Sequence, residues 1–148
     1  KIAEEGQKIK EFLVNAIDGD TNAFDKVIKA MRMPKDTDIE KKLREEKMQE
    51  GYKAATEIPL KTVEHCCESL NICERISKLM DDSMASDVGS GAHMAMAGAH
   101  SAAYNVKINL KSIKDENYVN QTNEQLKLLL SKCKELLNTI SKKVEGTL

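Results

Sequence analysis

Between Ser86 and Ala103 the chain reads Ser-Asp-Val-Gly-Ser-Gly-Ala-His-Met-Ala-Met-Ala-Gly-Ala-His-Ser-Ala-Ala, a run of small side chains unlike the rest of the sequence. From Ala92 onward the alanine content favours helix, while Gly89 and Gly91 predict a loop or a loose first turn ahead of it. A helix built from Ala, Gly and Ser lets neighbouring backbones approach closely, which is how the central helix of a bundle is made. The same composition would also give a smooth-walled slot for a flat ligand, but tight packing is the simpler reading.

The remaining segments carry helical periodicity and no β-alternation, repeat or low-complexity tract. Ile9, Phe12, Leu13, Ala16 and Ile17 share one helical face, which Asp18-Gly19 is expected to end. A second helix is expected from about Thr21 to Met33, with Ala23, Phe24, Val27, Ile28 and Met31 inward and Pro34 beyond its end. Thr37-Asp38-Ile39-Glu40 forms a capping box, in which the Thr hydroxyl and the Glu carboxylate each satisfy an orphan N–H. The strongly charged body that follows, Lys41–Lys53, reads as a solvated face. Pro59 removes a backbone donor and predicts a kink or break. Leu60, Val63, Cys67, Leu70, Cys73, Ile76 and Met80 then make an apolar stripe. Leu126, Leu130, Cys133, Leu137, Ile140 and Val144 make another, on a last helix capped by Asp115. The expected fold class is all-α: one helical bundle domain over residues 1–148 with the small-residue helix at its centre.

Composition narrows the function. Lys and Arg (23) nearly balance Asp and Glu (24), so no global field points to nucleic acid or a membrane surface. Aromatic residues make up only 3%, which argues against base-stacking platforms. No apolar run approaches a bilayer span, and Lys1–Gly6 does not resemble a signal peptide. Cys66, Cys67, Cys73 and Cys133 lack paired metal-ligand spacing and read as free thiols in a reducing cytoplasm. His93 and His100 share a helical face without a third ligand, so no metal is expected. They read as core or interface histidines, with Met94 and Met96 as packing residues.

Ile17-Asp18-Gly19-Asp20-Thr21-Asn22-Ala23-Phe24 is the most specific local string. Local physics makes Asp20, Thr21 or Asn22 an N-cap. With Ala30-Met31-Arg32-Met33-Pro34-Lys35, Glu57-Ile58-Pro59-Leu60, Ser86-Asp87, and Gly98 through Asn105-Val106-Lys107-Ile108-Asn109-Leu110, it resembles the cyclodeaminase/cyclohydrolase family of folate enzymes in order and spacing. Family members begin with a Pro-Gly-Gly-Gly-Ser stretch and an alanine-rich helix that have no counterpart here. The resemblance therefore implies an N-terminally incomplete cyclodeaminase-like domain.

The resemblance further implies a tetrahydrofolate derivative as substrate, a homodimer, and a place in one-carbon metabolism and histidine degradation. It implies that Asp20 is catalytic. Closing a ring from N10 onto a formimino carbon requires a proton to leave N10 and ammonia to depart protonated, which one carboxyl can serve. Asp18 and Asp87 are candidate second carboxylates on the substrate. Asn105 and Asn109, in the other specific string, are candidate substrate-binding residues. Cyclodeaminase is the preferred reading. Methenyltetrahydrofolate cyclohydrolase, which opens the same bridge with water, and a non-catalytic helical dimerisation module are the alternatives.

Overall fold

The computed structural model describes residues 1–148 as four helices and no strand: α1 (Ile2–Met31), α2 (Asp38–Ser77), α3 (Asp82–Leu110) and α4 (Glu116–Glu145). Local capping chemistry sets several of the boundaries. Thr37 Oγ1 accepts from Glu40 N at 3.2 Å while Thr37 N donates to the Glu40 carboxylate at 2.9 Å, the reciprocal pair expected at the start of α2. Asp81 caps α3 by accepting from Ser83 N, and Asp115 caps α4 by accepting from Tyr118 N. The Lys53 ammonium, 2.7 Å from Asp115, holds that carboxyl below its ordinary range.

The ends expected at Asp18-Gly19 and at Gly89 and Gly91 are absent, and α2 is not broken at Pro59. Helix α1 passes unbroken through Asp18-Gly19-Asp20, so none of Asp20, Thr21 and Asn22 is an N-cap; Thr21 Oγ1 instead donates to the Ile17 carbonyl. One glycine costs a helix only about 1 kcal/mol. Ile9, Ala16, Ala23 and Ala30 recur every seven residues across it, which keeps one packing stripe in register. Helix α2 likewise runs through Pro59. Pro59 leaves the Ala55 carbonyl without its helical donor, and Asn109 Nδ2 of α3 supplies one at 2.8 Å. Gly89 and Gly91 lie inside α3, not in a loop. A Cβ at Gly89 would stand 3.2 Å from Val144 Cγ1, so close packing on α4 explains a glycine there.

The main core joins three helices. From α3 come Ala85, Val88, Ala92, Ala99, Ala102, Ala103, Val106 and Leu110; from α2 Val63, Cys66, Cys67 and Leu70; from α4 Leu126, Cys133, Ile140 and Val144. The small-residue helix is thus packed between α2 and α4. Helix α2 is the only element that touches all three others, and α1 rests on α2 alone. With a single neighbour, α1 buries a narrow stripe of Ile9, Ala23, Val27 and Ala30. Phe24 and Met31, placed inward by spacing, remain exposed on its flank. His93, His100 and Met94 are also on the surface and not in the core.

The charged segment of α2 is more than a solvated face. The Gln49 amide donates to the Ser112 carbonyl and accepts from Lys114 N, and Glu45 pairs with Lys114, so this segment clamps the α3–α4 turn.

Gly51 marks the closest helix crossing. A Cβ there would lie 3.0 Å from Val27 Cγ2 and 3.1 Å from the Val27 backbone nitrogen. Gly51→Ala should therefore destabilise by about 1–3 kcal/mol through overpacking. Gly6→Ala, with nothing within 4 Å, should gain up to about 1 kcal/mol from helix propensity. Urea denaturation of both variants checks this; two equal stabilisations would mean that α1 does not seat closely on α2.

Candidate functional site

Where α1 crosses beside Pro59, its flank, one face of α2 and one face of α3 enclose an open cleft of about 210 Å³. Asp20 comes from α1; Ile58, Pro59 and Thr62 from α2; Gly98, Ser101, Ala102 and Asn105 from α3. The α3 residues follow one helical face by spacing. Gly98 lets α3 seat closely on α2 beside the cleft, because a Cβ there would meet the buried Cys66 Sγ at 3.1 Å. Thr62 donates its hydroxyl to the Ile58 carbonyl. Asn105 Nδ2 reaches the Ser101 carbonyl only at 3.4 Å, leaving most of its hydrogen-bonding capacity available. Asp20 is exposed and its carboxylate carries no ion pair.

Two of the sequence-predicted residues, Asp20 and Asn105, therefore meet in one cleft. The others do not join them there. Asp18 is exposed and, two residues from Asp20, points about 200° away around α1. Asp87 is exposed near the start of α3, about 27 Å along the helix from Asn105. Asn109 is next to the cleft, but its amide is committed to the Ala55 carbonyl. Thr62 and Ser101 were not singled out in the sequence. Their only signal is periodicity: Thr62 follows Pro59 by three residues, and Ser101 precedes Asn105 by four.

A larger cavity, about 520 Å³, lies between α1 and α2 and is lined by Glu5, Lys8, His65, Glu68, Asn71 and Arg75, among others. Its charges are mostly neutralised internally. Arg75 pairs with Glu5, which lowers the Glu5 pKa and raises that of Arg75. His65 Nδ1 lies 2.8 Å from Glu68, with the Phe12 ring packed against the imidazole at 3.9 Å. Volume favours this cavity, whereas free functional groups favour the cleft at Asp20. Chemistry needs the free groups.

The thiols offer no competing nucleophile. Burial pushes Cys66 and Cys73 up, and burial together with the neighbouring Cys67 pushes Cys133 up to about 12, so the thiolate form is suppressed. No group of three His, Cys, Asp or Glu side chains is placed to hold a metal ion. No helix is long and apolar enough to cross a membrane.

Residues 1–128 match the profile of the family described as Formiminotransferase-cyclodeaminase. A methenyltetrahydrofolate cyclohydrolase of Methylorubrum extorquens is 32% identical over 146 residues, spanning 99% of this chain and 70% of that protein. Formimidoyltransferase-cyclodeaminase of Gallus gallus is 35% identical over 126 residues, 83% of this chain but only 23% of the relative. In fold, the chain is similar to the crystal structure of formiminotetrahydrofolate cyclodeaminase from Thermotoga maritima. The TM-score is 0.83 at 23% identity, over 95% of this chain and 66% of the other.

Proposed function

Because the chain belongs to the Formiminotransferase-cyclodeaminase family, we propose that it converts 5-formiminotetrahydrofolate to 5,10-methenyltetrahydrofolate and ammonia, with Asp20 as the proton carrier. The observation that supports this reading is the convergence of Asp20 and Asn105, from distant parts of the chain, on one cleft with no ion pair on the carboxylate. In this reaction N10 attacks the carbon of the protonated formimino group; the new N–C bond forms as the C=N π pair moves onto the formimino nitrogen, leaving it an amino group. The N10 proton passes to the Asp20 carboxylate. Asp20 then returns it to the amino group of the tetrahedral intermediate, the C–N bond breaks, and ammonia departs. Asn105 is suited to hold a polar edge of the substrate. The steps consist of proton transfers and need no metal-bound water.

A second reading is favoured by the Methylorubrum relative, which matches nearly the whole of this chain and is a methenyltetrahydrofolate cyclohydrolase. There Asp20 would take a proton from attacking water and the methenyl bridge would open to 10-formyltetrahydrofolate. Both reactions pass through a similar tetrahedral carbon, so one cleft could serve either.

The cleft is smaller than the roughly 300–1,000 Å³ that usually encloses a whole ligand. It suits the reacting end of a folate. Exposed apolar side chains flank it: Ile17 (69% exposed) and Phe24 (47%) on α1, and Met94 (75%), Tyr104 and Ile108 on α3. We assign that surface to a homodimer contact that completes the remaining walls. Sedimentation should give two protomers, and Tyr104→Glu with Ile108→Glu should give one; a wild-type monomer at micromolar concentration overturns the assignment. The four free thiols fit a reducing compartment such as the cytoplasm.

Asp20→Asn tests the catalytic assignment. The residue is exposed in mid-helix, so stability should change by no more than about 0.5 kcal/mol. Turnover should fall ~10²–10⁴-fold, the usual contribution of a positioned acid–base group. Methenyltetrahydrofolate absorbance, rising from the formimino compound or decaying to the formyl compound, reads both reactions. A folded and fully active variant removes Asp20 from the mechanism. Activity lost only in proportion to the unfolded fraction makes Asp20 structural.

A further inference from the structure

We infer that Asn109 is a positioning residue for the Asp20 cleft, acting through the backbone and not by touching substrate. The inference builds on the reaction proposed above. Its starting point is the carbonyl of Ala55, four residues before Pro59. In an uninterrupted helix the N–H of residue 59 would satisfy it. Proline has none, and its ring crowds that same carbonyl. Ala55 and Pro59 are both buried, so bulk water cannot substitute. The Asn109 side-chain amide does, at 2.8 Å, reaching across from α3.

This bond joins two walls of the cleft where the reacting groups lie. Pro59 itself lines it from α2. Asn105 lines it from α3, one turn before Asn109 on the same helical face. Pinning Asn109 to Ala55 therefore sets how far Asn105 stands from Pro59, and so the width of the slot facing Asp20. Without the pin, the orphaned carbonyl would seek another donor, α2 would bend at Pro59, and the two walls would separate.

The defect can be repaired by chemistry, which makes the inference testable. Pro59→Ala restores the N–H at position 59, so the Ala55 carbonyl regains its helical donor and no longer needs Asn109. Four full-length proteins are compared: wild type, Asn109→Ala, Pro59→Ala and the double variant. Urea unfolding is measured on each, together with kcat and KM for 5-formiminotetrahydrofolate. Asn109→Ala alone should raise the unfolding equilibrium constant roughly five- to 150-fold, the cost of one buried unsatisfied carbonyl. In the Pro59→Ala background the same change should cost less than about threefold. Relative turnover should behave likewise: kcat falls about tenfold or more with Pro59 present and is largely recovered without it, while KM changes little in either.

An equal stability cost in both backgrounds overturns the backbone link. That arm needs no substrate, so it is read independently of which reaction the chain performs. An equal loss of turnover in both backgrounds makes Asn109 a direct substrate contact and overturns the positioning role. Turnover untouched by Asn109→Ala overturns it too. If Asn109→Ala fails to fold, recovery of a folded double variant is the expected rescue, and failure of both contradicts it.

Discussion

The carbonyl of Ala55, left without its helical donor by Pro59, accepts instead from Asn109 of α3 and ties the two helices together beside the cleft. Helix α2 is forty residues long and is the only element that touches every other helix. A proline near its middle should break it, and a broken α2 could not present one continuous surface to α1, α3 and α4. The chain removes that liability with a single side-chain amide from α3. The repair has a geometric consequence: the helix that mends α2 is fixed against it beside the proline ring. A wall of the cleft is a buried defect whose satisfaction sets the distance to the opposite wall.

Features encoded within a few residues were legible in the sequence. The Thr37–Glu40 capping box, the Asp115 cap and the stripe of Leu126, Cys133, Ile140 and Val144 stand where spacing put them. The ends expected at Gly19 and Gly89, and a full break at Pro59, do not occur because the local rules there are overruled by packing and by partners distant in sequence. At Gly19 a packing stripe carries the helix across, at Pro59 an amide does, and at Gly89 the glycine makes room for Val144. Exposure of Phe24 and Met31 has a related cause, since periodicity specifies a face but not how much of it a neighbour covers. Asp20 and Asn105 were legible as members of two distinctive strings. That they meet, and that Asp18 and Asp87 do not join them, depends on helix phase and on the crossing of α1 over α2. Neither is written in a window of residues.

The larger cavity beside Arg75 and the smaller cleft at Asp20 show why volume is a poor guide to chemistry. In the former, Glu5 pairs with Arg75 and Glu68 lies within hydrogen-bonding distance of His65, so a ligand entering there would have to compete with partners already in place. In the latter, a carboxylate without an ion pair and a largely uncommitted amide line an open cleft. Exposed apolar side chains on both flanks form the surface proposed above for a second protomer.

On the proposed reading, folate chemistry takes place in the cleft between Asp20, Pro59 and Asn105. A crystal structure of the Asp20→Asn protein, which should bind substrate and turn it over only slowly, soaked briefly with 5-formiminotetrahydrofolate, tests this. The formimino nitrogen and N10 should lie within hydrogen-bonding reach of residue 20, with the ring system against Pro59 and the Gly98–Ala102 face of α3. Ligand density seated instead among Glu5, His65 and Arg75, with the Asp20 cleft empty, would contradict it.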